Sequence, residues 1–405
     1  MDKLSVENSS AEFERGKAMY YIGIDISKFK HDCAVLDGNG DVVTPSWSFD
    51  NAEEGFHALL KLLKALDGEK RIGFEATGHY GLNLKLFLEA NKYSFMEFNP
   101  VLVKRFVAGK TLRRTKTDPL DALSIAQYLR TVEYKPYPKS FYHYDALKSL
   151  TRFRENMIRQ RSRQLVELTN IMDIIFPEFK PFFKNKFGAT ALYILANYGS
   201  PEKISHMNVN SYEILRKKSR GRFSAQDFAQ LKHLASTTVG NTTDYLLTEM
   251  NTVLTIYSEI DAAVNHIEKE IQKLVLELET PILTVPGIGI TSAAVILSEF
   301  GDFSRFKDPS KMLSFAGMEP GYFQSGTAES NGKMVKHGSS HLRYTLLYVC
   351  IPLIHSEPVF AQYYAKKRAE GKSHGVAITH VAKKLVRVLY TLQTKNIPYD
   401  PSLIR

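Results

Sequence analysis

The stretch Lys116-Thr117-Asp118-Pro119-Leu120-Asp121-Ala122 places two carboxylates three residues apart at a helix start. Residues three apart share a helix face, so Asp118 and Asp121 could together hold one hard cation, which takes oxygen ligands. The same residues also make a good helix start with no metal, with Asp118 as N-cap, Pro119 at the first helical position and Asp121 in the first turn. Two upstream carboxylates bear on the choice. Asp25 interrupts the apolar run Tyr21-Ile22-Gly23-Ile24-Asp25-Ile26-Ser27, where a charge is costly to bury unless something compensates it. Glu75 closes Arg71-Ile72-Gly73-Phe74-Glu75 and precedes Ala76-Thr77-Gly78. Asp25, Glu75, Asp118 and Asp121 thus come from three separate element ends. That is the ligand supply two magnesium ions need for phosphodiester chemistry. The plainer alternative is that Asp25 caps a turn and Glu75 is simply exposed.

The elements that must position these residues follow from periodicity. The Asp25 run, Cys33–Gly40 and Asp41–Phe49 predict three strands in an antiparallel meander. Ala52–Leu66 has helical spacing through Phe56, Leu59, Leu60 and Leu63 and ends near Gly68. A strand at Arg71–Glu75, a helix from about Leu82 to Ala90 and a strand around Tyr93–Phe98 complete the order β-β-β-α-β-α-β-α. That order predicts an α/β architecture, a mixed sheet flanked by helices.

Beside the paired carboxylates lies a cationic run without an acid: Lys104, Arg105, Lys110, Arg113, Arg114 and Lys116. Next to a metal site such a run could bind phosphates, and binding would then be salt-sensitive; by itself it could equally be a solvated loop. Tyr134–Tyr144, with Pro136 and Pro138, reads as a linker. A basic helix follows, with Lys148, Arg152, Arg154, Arg159, Arg161 and Arg163 and a seam of Ile158, Leu165, Leu168, Met172 and Ile175; Phe176-Pro177 ends it. A less regular stretch to about residue 240 holds Arg216, Lys217, Lys218, Arg220 and Arg222, which suit either phosphate contact or an exposed turn. From Leu246 through Met250, Val253, Tyr257, Ile260, Val264, Ile267, Ile271 and Leu274 to Leu278 the apolar steps alternate four and three. A sustained 3.5-residue repeat is a coiled-coil pattern. This second helix is acidic, so the basic one is its natural partner, within one chain or between two.

The last third opens at Thr284-Val285-Pro286-Gly287-Ile288-Gly289-Ile290-Thr291. It resembles a helix–hairpin–helix, whose turn amides around Gly287 and Gly289 can bind a phosphate. A Gly/Ser-rich loop, Tyr322–Thr327, then carries Ser325. A cationic loop with Lys333, Lys336 and His337 follows, and a helix from about Ser339 holds His341 and Arg343. A serine in a loop near cations is usually only that. It is also how a serine attacking a phosphodiester would look, with cations stabilising the phosphorane charge.

Composition sets the outer bounds. The chain has 405 residues, 44% hydrophobic and 24% charged, a size and balance that suit two or three domains with real cores. A net charge of +10 and a pI near 9.2 favour a polyanionic partner such as nucleic acid. Cys33 and Cys350 are too few and too far apart for a disulfide framework or zinc site. No apolar run is long enough to cross a bilayer, and the first eighteen residues lack an apolar core, so a cytosolic protein is the simplest account.

Taken in order, Gly23-Ile24-Asp25, Glu75-Ala76-Thr77-Gly78, Lys116–Ala122, Val285–Gly289, Pro320 to Ser325-Gly326 and Leu342-Arg343 resemble one family over roughly residues 20–390. It is the DEDD transposases of the IS110 insertion sequences, related to the Piv/MooV DNA invertases. The resemblance implies a RuvC-like, RNase H-fold domain over 18–135, a helical coiled-coil region over 140–280 and a C-terminal transposase domain over 281–395. It further implies magnesium on Asp25, Glu75, Asp118 and Asp121, Ser325 as nucleophile, and a 5′-phosphoserine intermediate. The implied partners are target and donor DNA, a structured non-coding bridge RNA, and further copies of the chain joined through the coiled coil. The place of action would be the bacterial cytoplasm, at the nucleoid.

Overall fold

Alternation along Met19–Ile26 sends Ile22, Ile24 and Ile26 to one side and Gly23 and Asp25 to the other. This strand, β1, is the centre of the first of two compact units in the computed structural model, Met1–Tyr142 and His143–Arg405. The structure describes residues 18–403, apart from 77, 111–117, 137–140, 184, 186, 326–327, 335 and 337. Strands β2 (Lys30–Asp37) and β3 (Val42–Asp50) continue from β1 as the expected antiparallel meander. After α1 (Glu53–Ala65), β4 (Glu69–Glu75) runs parallel to β1; after α2 (Leu82–Ala90), β5 (Phe95–Phe98) runs parallel to β4. The sheet order is β3-β2-β1-β4-β5. Helices α3 (Pro100–Lys110) and α4 (Asp118–Thr131) close the unit.

Each face of this sheet has its own cover. Ile22, Ile24, Ile26, Cys33, Val35, Ile72 and Phe74 pack with Leu59 and Leu63 of α1 and Leu84 and Leu88 of α2. The opposite face receives α4 through its buried stripe Ala122, Ile125, Ala126 and Leu129. Two glycines make room for it. Gly23 and Gly73 are register partners on β1 and β4. A Cβ on Gly23 would stand 2.3 Å from both the Ala122 carbonyl oxygen and the Ala126 amide nitrogen.

His31 lies wholly inside the α1 face, with ring centroids 5.3 Å from Phe49 and 6.1 Å from Phe56. Burial holds its pKa below the usual 6.5, so the folded protein keeps the imidazole neutral. The unfolded chain then binds the proton more readily, and stability falls as pH drops through 6.5 toward the lowered value. His31→Phe should flatten the decline in melting temperature between pH 7 and pH 5, measured by circular dichroism. An unchanged slope would show that His31 carries none of the acid sensitivity.

Two long helices organise the second unit. Helix α5 spans Phe141–Ile175 and begins inside the stretch expected to be a linker. Helices α6 (Phe179–Phe182), α7 (Ala189–Asn197), α8 (Pro201–Ser205), α9 (Val209–Lys218) and α10 (Ala225–Ser236) follow, then α11 (Asp244–Glu277). The stretch to residue 240, expected to be irregular, is therefore a cluster of short helices. They are cut by caps such as the Asn208/Ser211 and Ser224/Asp227 boxes. Helices this short do not repeat their apolar stripe often enough to show a period. Their core joins Ile194, Leu195, Leu215 and Leu231 to Leu168, Met172 and Ile175 of α5 and Leu246, Met250 and Leu254 of α11.

Helices α5 and α11 pair within the chain and run antiparallel. Arg154 meets Glu268 and Arg161 meets Asp261, each at 2.5 Å. These are the basic-to-acidic contacts expected from their charges, and the predicted seam supplies buried Leu246, Met250, Val264, Ile267 and Ile271. At its other end α11 enters a second core with Leu147, α12 (Ile290–Phe300), α13 (Pro309–Phe315), α14 (Ser340–Ser356) and α16 (His374–Lys395). Helix α15 (Pro358–Ala369) packs on α14 and α16. Among the described residues no single helix is long and apolar enough to cross a membrane.

Candidate functional site

Asp25 and Glu75 lie at neighbouring strand ends of the sheet. Asp25 sits two residues past Gly23 and Glu75 two past Gly73, so both lie on the face that carries α4. The parallel ladder of β1 and β4 ends at Ile24 and Phe74, which leaves Asp25 and Glu75 on neighbouring strand ends. Helix α4 runs against β1. Ala122 and Ala126 lie over Gly23, while Arg130 donates to the Asn39 carbonyl in the β2–β3 turn, beside the opposite end of β1. The N-terminal turn of α4, which begins at Asp118 and includes Asp121, therefore belongs at the Asp25/Glu75 edge. Asp25, Glu75 and Asp121 are half-buried. The Asp118 side chain lies outside the described residues, and so do Arg113, Arg114 and Lys116. Among the described residues no three His, Cys, Asp or Glu side chains group closely enough to hold a metal.

A fifth carboxylate on this face escaped the sequence reading. Asp32 is the register partner of Asp25 across β1 and β2, is buried, and accepts a hydrogen bond from the Ser48 hydroxyl. Its clue was the alternation of β2, in which Asp32 falls on the side opposite Cys33 and Val35. The thiols are unsuited to metal chemistry. Burial pushes Cys33 and Cys350 up to about 12, so both stay protonated at neutral pH.

In the second unit the stretch holding Ser325 is a β-hairpin rather than a loop. Strand β6 (Pro320–Ser325) pairs antiparallel with β7 (Ala328–Met334), and Ser325 opposite Ala328 is the last residue of its strand. The glycines and serines suggested a loop, but Tyr322-Phe323-Gln324 supplies a strand-forming core to the hairpin. Lys333 belongs to β7. Lys336 is exposed, whereas His337 and the side chains of Ser325, Lys333 and Lys110 lie outside the described residues.

The other expected contacts are placed as follows. Lys104 and Arg105 are exposed on α3. Arg216, Lys217 and Lys218 form the exposed last turn of α9, where cations complement the helix C-terminus. Arg220 and Arg222 continue the same exposed turn, and Arg220 has φ of +54°. Gly287 has φ of +85°, as the tight turn requires, and Gly289 caps α12. Arg343 is already engaged, donating to the carbonyls of Ala316 at 3.1 Å and Gly338 at 2.7 Å. Beside the first turns of α12 and α14 lies a cleft of about 610 Å³, lined by Arg152, Arg154 and Arg159. Each of these is paired, with Glu299, Glu268 and Glu155 respectively.

Comparison with known proteins gives the context. A family of DEDD transposases of the IS110 group, described as transposase, matches residues 22–177. A second, the transposases of the IS116/IS110/IS902 family, matches 279–365. The chain belongs to the IS110 transposase family. The 43.6 kDa protein of insertion element IS110 from Streptomyces coelicolor is 24% identical over 94% of this chain and 95% of its own length. The 42 kDa protein of insertion element IS900 from Mycobacterium paratuberculosis is 23% identical over 94% of this chain and 97% of its own. The pilin gene-inverting protein of Moraxella bovis is 22% identical over 94% and 97%. The first match of this IS110-family transposase spans β1 to α5 and so covers all four expected carboxylates; the second stops in α15.

Proposed function

We propose that this IS110-family transposase cuts and rejoins DNA strands through a covalent phosphoserine, with magnesium bound at the Asp25 edge. The observation that carries the reading is the juxtaposition of Asp25 and Glu75 on adjacent strand ends under the N-terminal turn of α4. Strand order 3-2-1-4-5, with the first three strands antiparallel, supports a RuvC-like, RNase H-type fold. The gene-inverting relative supports strand exchange over simple hydrolysis.

The residues fit a hard cation. They are oxygen donors from two neighbouring strand ends and a helix start, where Asp118 and Asp121 are three apart in sequence, and the thiol of Cys33 is buried and protonated. Bound there by Asp25, Glu75, Asp118 and Asp121, magnesium would supply charge stabilisation to the transferring phosphate. Ser325 Oγ forms the new bond to the 5′ phosphorus as the bond to O3′ breaks, and the serine proton passes to the departing 3′ hydroxyl. The phosphodiester energy is kept in the serine ester, so a 3′ hydroxyl from another strand can reverse the step. A bridge RNA pairing with target and donor DNA, and oligomers joined through α5 and α11, complete the reading.

The rival is a metal-dependent nuclease in which water attacks and Ser325 is incidental. The two separate in a DNA-cleavage assay on Ser325→Ala. The recombinase reading expects both cutting and joining to vanish while DNA binding persists. Cutting retained at the parent rate would establish the nuclease.

A further inference from the structure

A long cationic stretch outside the expected sites runs along α15 and α16. From Lys366 to Lys395 the chain carries Lys366, Lys367, Arg368, Lys372, Lys383, Lys384, Arg387 and Lys395 against the single acid Glu370. Glu370 is spent on Lys367 at 2.8 Å. Glu319 faces Lys383 from outside this segment.

Part of this charge lines a concavity. A pocket of about 640 Å³ lies between α15, α16 and the segment after α16, and Lys366, Lys384, Arg387 and Lys395 line it. None of these four forms an ion pair among the described residues, unlike the arginines of the cleft beside α12. The one carboxylate in the lining, Asp400, is turned to its own chain, accepting from the Ser402 amide at 2.9 Å and hydroxyl at 2.7 Å. Lys384 is partly desolvated, and that burial lowers its pKa. A cation placed so, without an ion pair among the described residues, is best stabilised by an anion from outside.

The aromatic content tells what part of a nucleic acid fits. Two rings stand in the wall, Tyr363 and Tyr399, both half-buried; ammonium groups already lie near Tyr363, Lys384 at 5.0 Å and Lys367 at 5.6 Å from the centroid. With neither ring exposed, the pocket offers charge rather than the open aromatic platform that unpaired bases stack on. We propose that this pocket grips the phosphate backbone of duplex DNA through Lys384, Arg387, Lys366 and Lys395. The inference rests on the transposase reading only for the identity of the polyanion.

The test is the salt dependence of duplex binding by the full chain, measured by fluorescence anisotropy with a labelled duplex in EDTA. Each lost phosphate contact lowers the slope of log affinity against log salt by about 1. Lys384→Gln/Arg387→Gln should therefore lower it by about 2, with an unchanged circular dichroism spectrum, while Arg387→Lys keeps the parent slope. An unchanged slope in the folded double variant would overturn the proposal. A slope that changes on an RNA hairpin but not on duplex DNA would overturn the assignment to DNA. Failure of the recombinase chemistry is distinguishable, since a protein that forms no covalent DNA adduct would still show this charge-dependent binding.

Discussion

Asp25→Asn should leave the protein folded and DNA-bound but slow strand cleavage by about 10²–10³-fold. The substitution keeps the side chain's shape and removes one anionic ligand from the edge where β1, β4 and α4 meet. A cation held there supplies several kcal/mol of charge stabilisation, which corresponds to that range of rate. Glu54→Gln, at an exposed carboxylate on α1, serves as control and should cleave at the parent rate. Initial rates on a labelled duplex with saturating magnesium make the comparison. A loss under about threefold for Asp25→Asn would remove Asp25 from the site.

Gly23→Ala should strongly destabilise the first unit. Its Cβ would press on backbone atoms of α4 at 2.3 Å, and backbone cannot swing aside as a side-chain end can. Overpacking commonly costs about 1–3 kcal/mol and sometimes more, and the upper end applies here. The melting temperature should fall by about 6–12 °C for a unit of this size. Gly38→Ala is the control, because its Cβ would meet Met19 Cβ at an ordinary 3.8 Å. Activity should fall as well, since α4 carries Asp118 and Asp121 away from Asp25 when it lifts. Equal melting temperatures for the two variants would contradict the close approach.

Much of the first unit was legible because its elements are short and sharply punctuated. The meander, α1, α2 and the strand ends at Asp25 and Glu75 all follow from alternation and from turns at Gly38-Asn39-Gly40 and Gly68. What sequence could not supply was the third dimension. Gly23 and Gly73 read as ordinary strand glycines until register sets them side by side beneath α4. Asp32 hid for the same reason, since only the pairing with β1 places it opposite Asp25. In the second unit the long repeat of α11 was plain, whereas the short capped helices α6–α10 offered too few turns to show a period. The β6–β7 hairpin was hidden by its glycines and serines. The cations of α15 and α16 were passed over because they are spread along two helices, and only the fold gathers them around one pocket.

The central claim is that Ser325 becomes joined to DNA, and covalent trapping tests it most directly. Protein, bridge RNA, magnesium and DNA labelled beside the candidate sites would be resolved on a denaturing protein gel. The account predicts a slow, protease-sensitive DNA band that disappears in Ser325→Ala. Cleaved DNA without such a band, unaffected by Ser325→Ala, would contradict it and leave a hydrolytic nuclease.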